Sequence, residues 1–182
     1  MKLSILLCSL PSRLKDFNII ERLSELSKGK PVEVLYIGDN WTMSVGEKRN
    51  KLIQLAKGEY VTFVDDDDRT EGDYITQILN AIDKSKADCI TYRASVKING
   101  GPAKVCLYSK QYSNHNTNEH YYRQPNHLMV WRKSIVKKFP EINVGEDNEF
   151  GMEMMKTDYT EYAIPKVLYH YDFNSATTEA QK

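Results

Sequence analysis

The chain has 182 residues, a length that suits one domain with a full core, and its 41% hydrophobic and 27% charged residues are typical of an ordinary globular protein. Its 25 basic and 25 acidic side chains give a formal net charge of +0, which excludes a global basic field for nucleic acid but leaves a local basic patch open. No run approaches the ~18 apolar residues that a membrane span requires, so no transmembrane segment is expected.

The cysteines and the start of the chain predict a cytoplasmic location. Three cysteines are an odd number and lack metal-ligand spacing; Cys8 and Cys89 lie in apolar runs and are interpreted as small core residues in a reducing compartment. The apolar run at residues 3–8 is short and has no small-residue cleavage site after it. We therefore expect a first β-strand there and not a signal peptide.

Strands and helices alternate through the first half of the chain. Helical spacing of apolar residues predicts helices at 16–27, 46–56 and 72–85. Apolar runs predict strands at 3–9, 32–37, 60–64 and 89–92. This alternation indicates parallel βαβ units in an α/β fold.

The second half is less regular. Asn99-Gly100 predicts a hairpin between residues 95–98 and 104–107, and the polar, aromatic stretch from Tyr108 to Gln124 is interpreted as a long loop. The remaining elements are predicted as a strand at 127–131, a short helix at 133–138, a helix at 150–155, a strand at 163–171 and a loose tail from 175.

Four consecutive aspartates, Asp65 to Asp68, follow the predicted strand at 60–64. Carboxylates packed this closely repel one another, and a hard divalent cation, Mg²⁺ or Mn²⁺, that carries a phosphorylated ligand would offset their charge. A solvated acidic turn is the alternative, since charge runs usually face water. The buried strand before the run favours the ligand site.

Other polar residues end neighbouring strands and would meet the aspartates at the same sheet edge, where ligands bind in open parallel α/β sheets. Pro11, Ser12 and Arg13 follow the first strand, and Asp39 follows the second. Together they outline a nucleotide pocket. In it Asp39 would accept a hydrogen bond from a base N–H, Asp65 would hold a ribose hydroxyl, and Asp67 would bind a metal that bridges diphosphate oxygens.

Ordered motifs now indicate a family. The stretches 44–50, 56–61 and 63–68 carry an Arg-Asn pair on a helix, an Ala-x-Gly-x-Tyr turn and Phe-x-Asp-x-Asp-Asp at a strand end. They resemble nucleotide-sugar glycosyltransferases of family 2, and so do Glu146-Asp147 and Tyr169-His170-Tyr171. The resemblance implies a GT-A (Rossmann-like) fold: a mixed, mainly parallel central sheet flanked by helices in a single compact domain.

The same resemblance divides the domain, residues 1–182, into a donor half at 1–93, an acceptor half at 94–178 and a tail at 179–182. In the donor half it assigns Asp39 to the nucleobase and places Arg49 near the donor, with a surface salt bridge as the alternative for Arg49. Asp65 and Asp67 match the Asp-x-Asp pair, with Asp67 as the metal ligand.

Asp66 occupies the variable position of that motif and is expected to point away, although it is grouped with the donor-binding residues. Asp68 is expected to be a supporting acid or a cap for the following turn. In the acceptor half, Asp147 matches the catalytic base. His170 matches a metal-binding histidine of some relatives, with a structural role as the alternative. Glu146, together with His127 and Tyr122, is predicted to face the acceptor.

The function that the resemblance implies is metal-dependent, inverting transfer of a sugar from a nucleoside-diphosphate sugar, UDP-sugar by default, to an acceptor hydroxyl. A glycan acceptor is favoured. A hydroxymethylated DNA base is the alternative, because many basic residues share the acceptor half: Lys97, Lys104, Lys110, Arg123, Arg132, Lys133, Lys137 and Lys138. A nucleotidyltransferase would carry a Gly-rich loop after the first strand, which is missing here.

A non-catalytic nucleotide-sugar-binding module is the last alternative. Such a module would have lost its acids, yet Asp65, Asp67 and Asp147 are all present. The sequence leaves the oligomeric state open.

Overall fold

The computed structural model describes residues 1–10 and 18–174. In this part of the chain ten strands form one mixed sheet. The strands are β1 (Leu3–Ser9), β2 (Val32–Gly38), β3 (Tyr60–Phe63), β4 (Arg69–Thr70), β5 (Cys89–Ile98), β6 (Lys104–Tyr108), β7 (His115–Asn116), β8 (His120–Arg123), β9 (Val130–Arg132) and β10 (Glu161–Phe173). The helices are α1 (Asn18–Ser27), α2 (Val45–Leu55), α3 (Tyr74–Ser85) and α4 (Glu146–Met155).

The first three strands form the parallel unit that the alternating pattern predicts. β1 lies between β2 and β3 and pairs in parallel with both, from Leu3 opposite Val32 and from Leu3 opposite Tyr60. β1 is thus an interior strand of the sheet, and six of its seven residues are buried. The carboxyl ends of β1 and β3 therefore open on the same edge of the sheet, beside the loop that follows β2.

The sheet continues through β9, which runs antiparallel between β3 and β5. β5 then forms a long parallel ladder with β10, from Glu161 opposite Cys89 to Phe173 opposite Ile98. The long ladders are thus parallel and the antiparallel ones are short. This arrangement agrees with the mixed, mainly parallel sheet that the sequence predicts.

The sequence predicts a long loop from Tyr108 to Gln124, but the structure shows that part of this stretch is strand. It contains β7 and β8, and β8 extends the sheet by pairing in parallel with β6. The Tyr122 ring stacks on His115, with 4.5 Å between ring centroids, and meets Tyr112 edge-on at 5.1 Å. These aromatic side chains pack on one another at the sheet edge, so the segment orders without the apolar alternation that would have revealed a strand.

Other element bounds also differ. β5 and β10 are longer than predicted because each covers the other along its whole length, and α4 begins at Glu146 and not at 150. The predicted helix at 133–138 is only a 3₁₀ turn at Lys133–Ile135, followed by extended backbone at Val136. The predicted tail from 175 lies outside the described residues.

The core is rich in aromatic side chains whose polar atoms are satisfied. The Tyr60 hydroxyl donates to the Ala87 carbonyl at 2.9 Å, and the Tyr92 hydroxyl donates to the Leu128 carbonyl at 2.5 Å. Cys89 is buried in the core, as its apolar surroundings in the sequence predict, while Cys8 is only half-buried; Cys106 is buried as well. Among the described residues, the longest apolar helices are too short to cross a bilayer.

Candidate functional site

A cleft of about 420 Å³ opens at the sheet edge where β1 and β3 end. The first half of the chain lines it with the end of β1, the loop after β2, α2 and the aspartates after β3. The second half contributes His127 and the segment that enters α4. The residues that line the cleft include Ser9, Leu10, Trp41, Val45, Lys48, Arg49, Asp65, Asp66, Asp67, His127, Val144, Glu146 and Asp147.

The aspartate run divides its side chains between the cleft and the core. Asp65, Asp66 and Asp67 all line the cleft. The expectation that Asp66 points away is therefore wrong. The Ser9 hydroxyl at the end of β1 donates to Asp66 Oδ2 at 2.7 Å, which turns this carboxylate toward the cleft wall.

Asp68 is the member that turns inward. It is buried, and its Oδ2 accepts a hydrogen bond from the Tyr169 hydroxyl at 2.7 Å. The same hydroxyl accepts from the Asp65 backbone N–H at 3.0 Å. Burial, reinforced by the neighbouring charge of Asp65, raises the pKa of Asp68 to about 8. Asp68 thus supports the loop from the core side, as the sequence predicts.

Arg49 lies beneath the cleft and connects the two halves of the chain. It is only 5% exposed, so the surface salt bridge considered for it is wrong. Its Nη2 lies 3.6 Å from Asp65 Oδ1 and 3.3 Å from Glu146 Oε1. The guanidinium also sits 5.0 Å from the ring centroid of Phe63 and 5.4 Å from that of Phe139. These cation–π contacts favour a buried charge at this position.

Glu146 is the acidic partner of Arg49 in the second half of the chain. Burial raises the pKa of its carboxyl, and the Arg49 charge opposes that change. Its contact with Arg49 lies under the cleft and not on an open surface. Glu146 is therefore well placed to hold the halves together, while its predicted contact with an acceptor stays a prediction.

His127 lies between the two acids to which the sequence assigns donor binding and catalysis. It is buried, with Nε2 3.4 Å from Asp65 Oδ2 and Nδ1 4.0 Å from Asp147 Oδ2. Asp147 is half-exposed at the first turn of α4, and its Oδ1 accepts from the Asn148 N–H at 2.9 Å. The helix dipole favours a carboxylate at this end of a helix. One cleft thus contains the Asp-x-Asp pair and the predicted base.

The carboxylate of Asp39 is held within its own loop. Its Oδ1 pairs with the buried Lys48 Nζ at 2.7 Å, and its Oδ2 accepts from the N–H groups of Thr42 at 2.7 Å and Met43 at 2.8 Å. Burial opposes ionisation, but the hydrogen bonds from Lys48, Met43 and Thr42 outweigh it and lower the pKa of Asp39 to about 2. These contacts give Asp39 a role in shaping the loop that precedes α2.

Trp41, in that same loop, is a cleft residue that sequence reasoning missed. It lines the cavity and is 40% exposed. An unpatterned tryptophan directly after a strand end at the ligand edge of the sheet was the available signal.

Three further sequence predictions concern His170, Tyr122 and residues 11–13. His170 lies in a neighbouring cavity of about 520 Å³ that shares Asp66 and Asp67 with the cleft, and its Nε2 is 2.7 Å from Glu71 Oε1. Its metal role stays a prediction. The ring of Tyr122 packs in the aromatic group of β7 and β8 and is not among the residues that line the cleft. Pro11, Ser12 and Arg13 lie outside the described residues.

The donor set fits a divalent cation that arrives with a diphosphate. Asp65, Asp66 and Asp67 place hard oxygen ligands at one edge of the cleft. Within residues 1–10 and 18–174 no group of three His, Cys, Asp or Glu side chains is arranged as a metal cage. Mg²⁺ typically uses one or two carboxylates together with substrate phosphates, and so needs no such cage.

Comparison with known proteins decides the family. The model for glycosyl transferase family 2 matches residues 16–139, which include Arg49, the aspartate run and His127. The chain belongs to this family. The resemblance drawn from the sequence motifs is thereby confirmed. No curated protein matches the chain in sequence.

Solved structures confirm the GT-A fold. S. aureus TarS 1-349 in complex with UDP-GlcNAc superposes with a TM-score of 0.68 at 14% identity, covering 99% of this chain and 62% of that one. The complex of the same protein with UDP gives 0.68 at 17% identity, over 95% and 61%. S. aureus TarS itself gives 0.67 at 18% identity, over 95% and 37%. The chain thus spans less than two thirds of the length of these structures.

Proposed function

We propose that the protein transfers a sugar from a nucleoside-diphosphate sugar to an acceptor hydroxyl, with inversion at the anomeric carbon and with a divalent cation, Mn²⁺ or Mg²⁺. The observation that carries the proposal is one cleft that Asp65, Asp67 and Asp147 all line, with His127 between Asp65 and Asp147. Family membership supports the reaction class. The TarS complexes with UDP-GlcNAc and UDP support a UDP-sugar as the first donor to test.

Donor binding would depend on the acidic edge of the cleft. Lys48 is already paired with Asp39, and Arg49 faces both Asp65 and Glu146. Diphosphate oxygens would therefore meet an excess of carboxylates, which only an added cation offsets. Asp67, with Asp65 beside it, would hold that cation, and the cation supplies Lewis-acid stabilisation of the leaving diphosphate.

Asp147 would remove the proton from the acceptor hydroxyl as general base. Its carboxylate is half-exposed in the cleft, so a hydroxyl can reach it. His127 would keep the base and Asp65 at a fixed separation from its buried position between them. A base on one face of the sugar and a leaving group on the other give a single displacement, which inverts the anomeric configuration.

A third cavity, beside the cleft, supports a glycan as the acceptor. This cavity of about 310 Å³ shares Asp147 with the cleft and is rich in amide side chains: Asn114, Gln124, Asn126 and Asn148. An amide both donates and accepts hydrogen bonds, which matches the hydroxyl groups of a neutral sugar. Asp147, the general base, would thus lie where the donor cleft and this amide-lined cavity meet.

At least three of the eight basic residues named for the second half are engaged with their own neighbours, which gives less support to a DNA acceptor. Arg132 contacts Glu59 and Asp88, and Lys138 pairs with Glu141 at 2.7 Å. Lys110 donates to the Tyr159 carbonyl at 2.6 Å. Charges bound to their own neighbours are poor phosphate ligands, so we rank a hydroxymethylated DNA base second.

The test is a hydrolysis and transfer screen. The protein is incubated with nucleotide sugars, UDP-sugars first, in the presence of Mn²⁺ or Mg²⁺ and either glycan or hydroxymethylated DNA acceptors. We expect cation-dependent release of nucleoside diphosphate that a glycan accelerates, and a product of inverted configuration by NMR. Acceleration by the DNA alone would favour the second candidate. Tight donor binding without turnover under any condition would indicate a non-catalytic binding module.

A further inference from the structure

We infer that Trp41 forms the nucleobase subsite of the cleft by stacking its indole on the base. This inference rests on the proposed function, because it assigns the base of the nucleotide donor. Trp41 lines the cleft and is 40% exposed, whereas the only other tryptophan in the sequence, Trp131, is 1% exposed in the core. A large aromatic face open to a ligand cavity is the surface that a planar base needs.

The sheet places Trp41 at a suitable distance from the diphosphate. The strand order is β2-β1-β3, so the loop with Trp41 and the loop with Asp67 follow strands that are two positions apart. Two strand spacings separate them by roughly 10 Å. The ribose of a nucleoside diphosphate lies between base and phosphates and bridges a gap of this kind. A cation-bound diphosphate at Asp67 would therefore direct its base toward Trp41.

The cleft offers both kinds of surface that a nucleotide needs. Besides Trp41 it is lined by the apolar side chains Leu10 at the end of β1, Val45 at the start of α2, and Val144. The carboxylates come from the loop after β3 and from the start of α4. Apolar side chains suit the faces of an uncharged base, and carboxylates suit a metal-bound diphosphate.

The backbone presents Trp41 in a fixed and unfavourable conformation. Its φ is 63°, a left-handed value that is uncommon for a bulky residue. Asp39 holds the loop in this shape through the Thr42 and Met43 amides, and Lys48 anchors Asp39. Such conformations persist only where the surroundings impose them. Asp39 would thus act on the base as a positioning residue, through Trp41, and not by direct contact.

Binding measurements on two variants test the inference. UDP and GDP, each with Mn²⁺, are titrated calorimetrically against the wild type, Trp41→Ala and Trp41→Phe, with pyrophosphate and Mn²⁺ as a probe of the carboxylates alone. We expect Trp41→Ala to weaken nucleotide binding about tenfold or more, because base–aromatic stacking is lost. Pyrophosphate binding should stay unchanged. Trp41→Phe, which keeps an aromatic face, should bind nucleotide within a few-fold of the wild type.

Tryptophan fluorescence supplies an independent measurement. Nucleotide should change the emission of the wild type, and Trp41→Phe should lose that change because Trp131 is buried away from solvent. Equal nucleotide affinity in wild type and Trp41→Ala, or an equal loss for pyrophosphate, would overturn the inference and leave the proposed function standing. The inference would also be overturned if the wild type bound UDP and GDP no more tightly than pyrophosphate. Failure to bind any of the three probes would remove the proposed function as well.

Discussion

At the scale of single residues, neighbouring acids of one type have different environments. Asp67 is exposed at the edge of the cleft, whereas Asp68, the next residue, is buried against the Tyr169 hydroxyl. Burial disfavours a charged carboxylate, while solvent and a bound cation favour it. The same side chain can therefore serve as a metal ligand at one position and as a support at the next.

Replacement of Asp67 tests the metal role. We expect Asp67→Asn to weaken the binding of UDP in the presence of Mn²⁺ by about tenfold or more, because an amide is a weaker ligand than a carboxylate for a hard cation. Calorimetry with and without EDTA measures the effect, and Asp158→Asn, a change at an exposed acid outside the cleft, is the matched control. Unchanged affinity in Asp67→Asn would remove Asp67 from the metal site.

Asp39 gives a prediction for stability. Its pKa is lowered from 3.8 to about 2, so the stabilisation is complete above pH 4 and is lost as the pH falls toward 2. Asp39→Asn leaves Lys48, which is 2% exposed, without its charged partner. We expect a loss of about 3 kcal/mol in the free energy of unfolding at pH 7, which shrinks below pH 4. Urea denaturation at pH 7, 5, 4 and 3 measures it.

The control for Asp39 is an ion pair on the surface. Asp83 pairs with Lys2 at 2.5 Å, but both side chains are partly exposed. Asp83→Asn should change the free energy of unfolding much less than Asp39→Asn does, because exposed ion pairs contribute little. If the two substitutions have the same small effect at pH 7, the pair between Asp39 and Lys48 does not hold the loop.

At the scale of elements, α2 positions both halves of the cleft. Its amino-terminal end carries a capping box between Ser44 and Glu47, and the Val45 N–H donates to Asn143 Oδ1 at 3.0 Å. The Gly46 N–H donates to the Ile142 carbonyl at 3.1 Å. The segment that leads into α4 therefore rests directly on the start of α2. The position of Asp147 depends on this contact.

Gly46 is the residue that allows the close approach. A Cβ at this position would lie 1.8 Å from the Pro140 carbonyl oxygen, so the segment would have to move. We expect Gly46→Ala to lower the free energy of unfolding by about 1–3 kcal/mol, as overpacking does, and to reduce transfer because Asp147 shifts. Thermal melting and a transfer assay measure the two effects.

The matched control is Gly72→Ala. The nearest atom to a Cβ at Gly72 is Arg22 Nη2 at 4.0 Å, so the added methyl has room. A stability change at Gly46 no larger than that at Gly72 would contradict the close packing of α2 against the segment.

At the scale of the whole molecule, the proposed chemistry is divided between the halves of the chain. The donor half carries Asp65 and Asp67 and the acceptor half carries Asp147, while Arg49 and His127 contact acids from both. The arrangement predicts that donor binding and the chemical step can be impaired separately. Substitutions in the two halves should give distinct kinetic results.

Asp147→Asn examines the chemical step. We expect UDP affinity within about twofold of the wild type, because the donor contacts lie elsewhere, and transfer reduced by roughly 10²–10⁴-fold through loss of the base. Equilibrium binding and single-turnover transfer give the two quantities. Glu149→Gln, a change at an exposed acid in the same helical turn, should leave both unchanged. Turnover at the wild-type rate in Asp147→Asn would exclude the base assignment.

The sequence by itself determined the parallel unit of β1, β2 and β3, the family and the location of the acidic edge. These features depend on local apolar patterns and on ordered motifs, both of which can be identified from the sequence alone. Only the tertiary structure decided what each polar side chain contacts. It paired Asp39 with Lys48, placed His127 between Asp65 and Asp147, and brought Trp41 to the cleft. Such contacts join residues that are distant in sequence or that lie in irregular loops. No periodic pattern in the sequence therefore predicts them.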